Sequence, residues 1–139
     1  MADNRATVEK FLSAMAANDI EAQDRLLSDD IVEEYPQSGE VIRGKDNRRA
    51  IIENYPGGTP RETSATGETP QPLITGAGDR FTASGQIKYP NGETWHIIAL
   101  IELSDGKISK ITSYFAAPFE APAWRASYVE KGATATKSR

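Results

Sequence analysis

The lone histidine is the residue of this sequence best suited to acid/base chemistry. His96 is the only histidine among 139 residues, and it lies in the long apolar run 94–103. A neutral imidazole in an apolar pocket can act as a general base or hydrogen-bond a ligand hydroxyl or carbonyl. The alternative is a structural histidine that packs in the core and bonds a neighbouring side chain. Both interpretations require His96 to lie on a buried face.

A Glu-Glu-Tyr stretch is the second candidate. Residues 31–35 are typical of a short strand, in which Glu33 and Tyr35 point to one side and Glu34 to the other. If Tyr35 faces a pocket, Glu33 faces it too, and a carboxylate near a buried imidazole can supply an acid and a base of different pKa. Alternatively, both glutamates are solvated residues of an edge strand. The candidate catalytic residues are therefore His96, Tyr35 and Glu33.

Composition excludes several other kinds of site. With no cysteine and one histidine, a metal site would rest on carboxylates, and no spacing of ligands indicates one. The turn Pro56-Gly57-Gly58 lacks the strand and the lysine-serine context of a phosphate loop. We therefore expect neither a metal nor a cofactor.

The charge and hydropathy of the chain restrict which kinds of partner it can have. The net charge of −4 gives no electrostatic footprint for nucleic acid. The N-terminus has no apolar stretch typical of a signal peptide, and no run approaches the length of a membrane span. We expect a cytoplasmic protein that contacts neither nucleic acid nor membrane.

The N-terminal half is predicted to be mainly helical. A first helix carries an apolar stripe at helical spacing, comprising Val8, Phe11, Leu12, Met15 and Ala16. Residues 20–27 and 45–55 predict a second and a third helix, with Asp46 as N-cap of the third. The Gly- and Pro-rich segment 56–78 is interpreted as a long loop or a weak edge strand.

The C-terminal half is predicted to be a strand meander. Strands at 80–89, 93–103 and 107–115 are separated by Asn-Gly and Asp-Gly turns. Helices followed by such strands predict an α+β fold, with the helices on one face of an antiparallel sheet. One domain over residues 1–130 and a polar, frayed tail at 131–139 complete the prediction.

The strand that carries the histidine is apolar on both faces. One face holds Trp95, Ile97, Ala99 and Ile101, whereas the other holds His96, Ile98 and Leu100. A half-buried antiparallel strand is normally polar on one face. The helices can cover only one face of the sheet, so the other needs a partner, and a second copy of the chain is the simplest.

The order of these elements resembles a known superfamily. The stretch Asn18-Asp19-Ile20-Glu21-Ala22, a strand that ends in proline, Gly44, a third helix and then hairpins resemble the nuclear transport factor 2-like superfamily. Within it, the chain resembles the SnoaL-like polyketide cyclases and the ketosteroid isomerases, and the resemblance spans residues 8–115. It implies a cone-shaped curved sheet against three N-terminal helices (a cystatin-like α+β barrel). It also implies a pocket between the helices and the sheet, and a homodimer through the other sheet face.

The catalytic groups of the isomerases are not kept. Aligned on Asp19 to Ala22, the helix tyrosine of those enzymes corresponds to Phe11 and their aspartate base to Tyr35. Their sheet aspartate, aligned from the Asp105-Gly106 turn, corresponds to His96. Steroid isomerisation of that type is therefore not expected. The alignment does predict that the face of His96 points into the pocket and that the face of Trp95 points to a partner subunit.

Three functions remain open at this point. The first is a cofactor-free acid/base enzyme (an isomerase, cyclase or hydrolase) that acts on an apolar, oxygen-bearing molecule. The second is a non-catalytic dimeric module that binds a small hydrophobic ligand, and the third is a protein-interaction domain. Trp124 either closes the mouth of the pocket or packs the C-terminal segment 116–124 on the body. The expected ligand-binding residues are Phe11, Met15, Tyr55, Ile98, Leu100 and Trp124.

Overall fold

The computed structural model describes residues 3–57, 72–89 and 91–132. In the first range, helices and strands alternate as α1 (Asn4–Ala16), α2 (Ile20–Leu26), β1 (Leu27–Tyr35), β2 (Glu40–Arg43) and α3 (Gly44–Glu53). The remaining residues form β3 (Leu73–Ala77), β4 (Arg80–Lys88), β5 (Thr94–Ser104), β6 (Lys107–Ala116) and a 3₁₀ helix (Ala123–Tyr128).

Aspartate N-caps define where the first two helices begin. The carboxylate of Asp3 accepts a hydrogen bond from the backbone N–H of Ala6, and that of Asp19 accepts one from Ala22. Each bond satisfies an N–H that has no partner within the helix. The predicted start of α3 at Lys45 is one residue late. Arg43 is its N-cap, and Asp46 lies in the first turn, where a negative charge also favours a helix.

The strands form one curved, unclosed sheet in the order β2-β1-β6-β5-β4-β3. Neighbouring strands are antiparallel except β1 and β6, which run parallel. The fold is therefore the predicted α+β cone, with the three helices in the N-terminal part of the chain. The edge strand suggested for part of segment 56–78 is confirmed as β3, whereas residues 58–71 lie outside the described part.

The core fills the narrow end of the cone. Val8 and Phe11 of α1 pack with Ile31 of β1, Ile101 of β5 and Ile108 of β6, all buried almost completely. At about 25 cal/mol per Å² of apolar surface, each such side chain contributes roughly 1.5–3 kcal/mol. Leu27 belongs to this core as well, and for that reason β1 begins there rather than at the predicted Ile31.

The predicted orientation of β5 is wrong. Ile101 and Leu103 are buried in the core, so the odd-numbered face, with Ile97 and Ala99, points toward the helices. Ile98 and Leu100 lie on the outer face with exposed fractions of 45% and 39%, and His96 is exposed beside them. The physical reason is that the even-numbered face also carries Glu102 and is the more polar of the two, so the helices cover the other face.

The C-terminal segment does not lie packed on the body as predicted. Phe119 and Trp124 are both exposed, Trp124 with 75% of its surface, and the 3₁₀ helix Ala123–Tyr128 contributes no buried residue. The predicted frayed tail falls mostly on residues 133–139, outside the described part. Within the described ranges, no helix is long and apolar enough to cross a membrane. The expected cytoplasmic location stays a prediction.

Candidate functional site

A cavity of about 220 Å³ lies between the helices and the inner face of the sheet. Its walls are mainly apolar, and they come from the three helices and from β1, β2, β4, β5 and β6. Phe11 and Ile101 are buried at the closed end, whereas Met15 and Ile51 are exposed and mark the mouth. An engineered apolar cavity of about 150 Å³ can hold benzene. This cavity is therefore large enough for a ligand of one ring with substituents.

A buried ion pair forms the polar part of the wall. Arg48 of α3 donates from Nε to Oε1 of Glu33 on β1 at 2.6 Å. The exposed fractions of the two side chains are 6% and 9%. The guanidinium also lies 5.3 Å from the centre of the Phe11 ring, in a cation–π arrangement. The pair is therefore held from α1, α3 and β1 together.

Tyr35 completes this cluster from two residues along β1. Its hydroxyl donates to Oε2 of Glu33 at 3.3 Å, and its ring packs edge-on against Phe115 of β6. Burial raises the pKa of Tyr35 above 10.0, and the charge of Glu33 and its hydrogen bond raise it further. The phenol therefore stays protonated at neutral pH and serves as a hydrogen-bond donor.

Two further buried polar side chains line the cavity. Gln23 of α2 is 2% exposed, and its Nε2 donates to the carbonyl of Ala14 at 3.3 Å. Ser113 of β6 lies between Ile111 and Phe115 on the inward-facing side of its strand. Most of the cavity is thus apolar, with its polar groups supplied by a few side chains on rigid elements.

The wide end of the cavity carries two tyrosines. Tyr55 follows α3 and Tyr89 follows β4, and both line the cavity. Burial raises the pKa of Tyr89 to about 12, and its hydrogen bond with Tyr55 adds to the effect. The Tyr89 phenol therefore remains neutral at physiological pH, and both tyrosines present hydroxyls to the cavity.

The structure brings together five of the predicted site residues. Glu33, Tyr35, Phe11, Met15 and Tyr55 all line the cavity. Their assignment as catalytic or ligand-binding residues stays a prediction.

Four predicted site residues lie elsewhere. His96, Ile98 and Leu100 are on the outer face of β5, and Trp124 is exposed on the 3₁₀ helix, so none of them lines the cavity. The inner positions of β5 belong instead to Ile97, Ala99 and Ile101. The acid/base role predicted for His96 therefore loses its structural basis.

Arg48 and Gln23 were missed, although the sequence held a signal for each. Arg48 precedes Ile51, Ile52 and Tyr55 by three, four and seven positions, so it belongs to the inward stripe of α3. Gln23 similarly lies three positions after Ile20 and four before the buried Leu27. Polar residues within an apolar helical stripe were the available sign of a buried site.

No metal-binding group is visible in the part of the chain that the structure describes. There, no cluster of three or more His, Cys, Asp or Glu side chains could hold an ion. The expected absence of metals and cofactors stays a prediction.

The fold and the site have recognisable relatives. Residues 8–111 match the SnoaL-like domain, which is most of the chain, and the chain therefore belongs to the SnoaL-like family. That family is part of the nuclear transport factor 2-like fold superfamily, so the resemblance inferred from the sequence is confirmed. No protein with a curated functional description matches the sequence.

Solved structures agree with this assignment. An NTF-2 like protein of unknown function from Burkholderia xenovorans LB400 is 32% identical, with a TM-score of 0.75 over 92% of this chain and 94% of its own. A putative ketosteroid isomerase from Kribbella flavida is 22% identical, with a TM-score of 0.72 over 93% and 89%. TerC, co-crystallised with polyporic acid, is 18% identical, with a TM-score of 0.63 over 81% and 90%. The last two share the fold.

Proposed function

We propose that the chain binds a small, mostly apolar molecule that carries at least one oxygen, and that it does so in the 220 Å³ cavity. The observation that carries the proposal is the buried cluster of Glu33, Arg48 and Tyr35 on an otherwise apolar wall. Burying an ion pair costs several kcal/mol per charge in desolvation, and packed apolar residues often serve stability equally well. Such a cluster is therefore better explained by recognition than by stability.

Charge complementarity narrows the ligand. Glu33 and Arg48 neutralise one another, so the cavity offers no net charge to a strongly ionic ligand. Arg48 and Tyr35 supply donors, which suit a carbonyl, ether or enol oxygen. The apolar walls, among them Ile42, Ile52 and Ile97, suit a ring or a branched hydrocarbon body. The SnoaL-like fold supports a ligand-binding or isomerase-type protein, and a molecule of this kind is suited to either role.

A thermal-shift experiment with acetophenone tests this proposal. A ligand that binds only the folded state raises the melting temperature by mass action, so acetophenone should raise it in the wild type. Ala99→Leu fills part of the cavity wall and should abolish the shift, whereas Ala77→Leu, on the exposed edge strand β3, should keep it. Equal shifts in both variants would place binding outside the cavity and refute the proposal.

A second candidate is proton transfer in the same cavity, which the Glu33 carboxylate favours. Glu33 can accept a proton from a carbon next to a carbonyl, while Arg48 and the protonated Tyr35 donate hydrogen bonds to the enolate oxygen that forms. Tyr35 cannot itself be the base at neutral pH, because its pKa is raised. This candidate replaces the one built on His96.

Deuterium exchange distinguishes the binding module from this enzyme. In D₂O, proton abstraction from the methyl group of acetophenone would replace its hydrogens with deuterium, which NMR detects. Exchange faster than in buffer, and lost in Glu33→Gln with the fold intact by circular dichroism, would establish catalysis. Binding without accelerated exchange would leave the non-catalytic module.

We also propose that the protein is a homodimer through the outer face of the sheet. Ile98 and Tyr114 are paired neighbours on β5 and β6, and Leu100 lies next along β5, so the three form one exposed apolar patch. A single antiparallel sheet normally presents a polar outer face to water. A second copy presents the same patch and can cover this one symmetrically.

Sedimentation measures the oligomeric state directly. At micromolar concentration the wild type should sediment as a dimer, and Leu100→Asp should convert it to a monomer because a charge in an apolar interface is costly. Leu73→Asp, on the exposed edge strand β3, is the matched control and should remain a dimer. A monomeric wild type would exclude the proposed interface.

A further inference from the structure

Two buried polar atoms on the cavity wall lack partners. Oε1 of Gln23 and Nη1 of Arg48 have no hydrogen-bond partner within residues 3–57, 72–89 and 91–132. Gln23 is 2% exposed and Arg48 5%, and both residues line the cavity. A buried polar group left unpaired is destabilising. The two atoms are therefore the positions at which a ligand gains most from a hydrogen bond.

The chemical character of each atom is fixed by its other contacts. Because Nε2 of Gln23 donates to the Ala14 carbonyl, the remaining side-chain atom is the acceptor Oε1. Because Nε of Arg48 donates to Glu33, the guanidinium keeps its orientation and Nη1 remains a donor. These two side chains thus offer one unpaired acceptor and one unpaired donor.

The two groups are held at neighbouring positions along α1. Gln23 is attached to the backbone of Ala14, whereas the guanidinium of Arg48 lies over the ring of Phe11. Positions 11 and 14 are three residues apart on the buried side of the helix, where Cβ atoms are about 5–6 Å from one another. Both side chains therefore belong to the same stretch of the cavity wall.

We propose that Gln23 and Arg48 form a paired subsite that selects ligands with a donor and an acceptor on neighbouring atoms. Primary amides, protonated carboxylic acids and α-hydroxy ketones belong to this class. The carbonyl oxygen accepts from Nη1 of Arg48, and the N–H or O–H donates to Oε1 of Gln23. This inference rests on the proposed ligand-binding function and specifies which ligands the cavity prefers. Gln23 is then a specificity residue, with no part in proton transfer.

Benzamide and acetophenone are matched probes for the subsite. They have the same ring and carbonyl, but only benzamide adds an N–H donor next to the carbonyl. One additional neutral hydrogen bond contributes about 1 kcal/mol, so benzamide should bind the wild type about fivefold more tightly. Dissociation constants are measured by NMR titration, with the shifted resonances assigned to cavity residues.

Gln23→Met removes the acceptor while keeping the side-chain length. This variant should bind benzamide and acetophenone with about equal affinity, whereas its affinity for acetophenone should match that of the wild type. Each preference is a ratio measured within one variant, so a general loss of stability does not imitate the effect. Gln37→Met changes an exposed glutamine whose Oε1 accepts from the backbone of Phe115, and it should keep the preference.

The outcomes separate the two proposals. If both probes bind in the cavity of the wild type equally well, the paired subsite is refuted while the proposed ligand-binding function stands. The same conclusion follows if Gln23→Met retains the full preference for benzamide. If neither probe binds in the cavity, the subsite and the proposed function fail together.

Discussion

The ion pair between Arg48 and Glu33 gives the sharpest prediction about stability. Arg48→Met keeps most of the apolar stem but leaves the Glu33 carboxylate without its 2.6 Å partner. The side chain of Glu33 is only 9% exposed, so water cannot replace the lost interaction. Removing one member of a buried pair typically costs about 3–5 kcal/mol. A domain of ordinary stability, about 5–15 kcal/mol, loses roughly a fifth of it or more.

Urea denaturation followed by circular dichroism measures this loss. Arg5→Met is the matched control, because Arg5 lies on α1 and pairs with Glu9 at 3.8 Å on the surface. That change should cost less than about 0.5 kcal/mol. The double variant Glu33→Gln, Arg48→Met removes both charges, so it should be about 2 kcal/mol more stable than Arg48→Met alone. The reasoning is refuted if Arg48→Met costs no more than Arg5→Met, or if the double variant recovers nothing.

Four other substitutions should give distinct results. The pKa of Tyr35 is raised in the folded state, so above pH 10 the unfolded state loses the phenol proton first and the protein loses stability. Tyr35→Phe removes this proton, and its urea midpoint should therefore decline less than that of the wild type between about pH 10 and 12. Gly76 has φ +128°, and a Cβ there would meet the backbone of Arg80 and Phe81, so Gly76→Ala should cost more than about 1 kcal/mol by the same assay. Gly132→Ala, where a Cβ meets open space, should cost almost nothing. His96→Gln should leave acetophenone binding unchanged, because His96 is exposed outside the cavity; a lost NMR titration response would contradict that placement.

The fold was predictable because several local signals agreed. Asp3 and Asp19 have the side chains expected of N-caps, and along β4 the buried Phe81 and Ala83 alternate with polar residues. The two turns with Asn-Gly and Asp-Gly sequences fixed the hairpins on either side of β5. Consistency of this kind across a whole chain specifies one topology.

The cavity wall was harder to predict, because β5 is apolar on both faces. The alignment placed His96 inward, but Glu102, six residues further on the same face, already indicated the opposite orientation. Glu33 and Tyr35 were predicted correctly to share a side, because period-two alternation holds throughout the end of β1. To predict Arg48 as a cavity residue, one would have to combine the helical stripe of α3 with the pairing of Arg48 and Glu33. Only the tertiary structure brings these two side chains together.

The most direct test of the proposed function is to locate a bound ligand by NMR. Intermolecular NOEs from acetophenone to isoleucine methyl groups identify the face of β5 that it contacts. Our proposal predicts NOEs to Ile97 and Ile52 on the cavity wall, and none to Ile98 on the outer face of the sheet. NOEs to Ile98 without any to Ile97 would contradict the proposal, because the ligand would then occupy the outer face and leave the cluster of Glu33, Arg48 and Tyr35 unused.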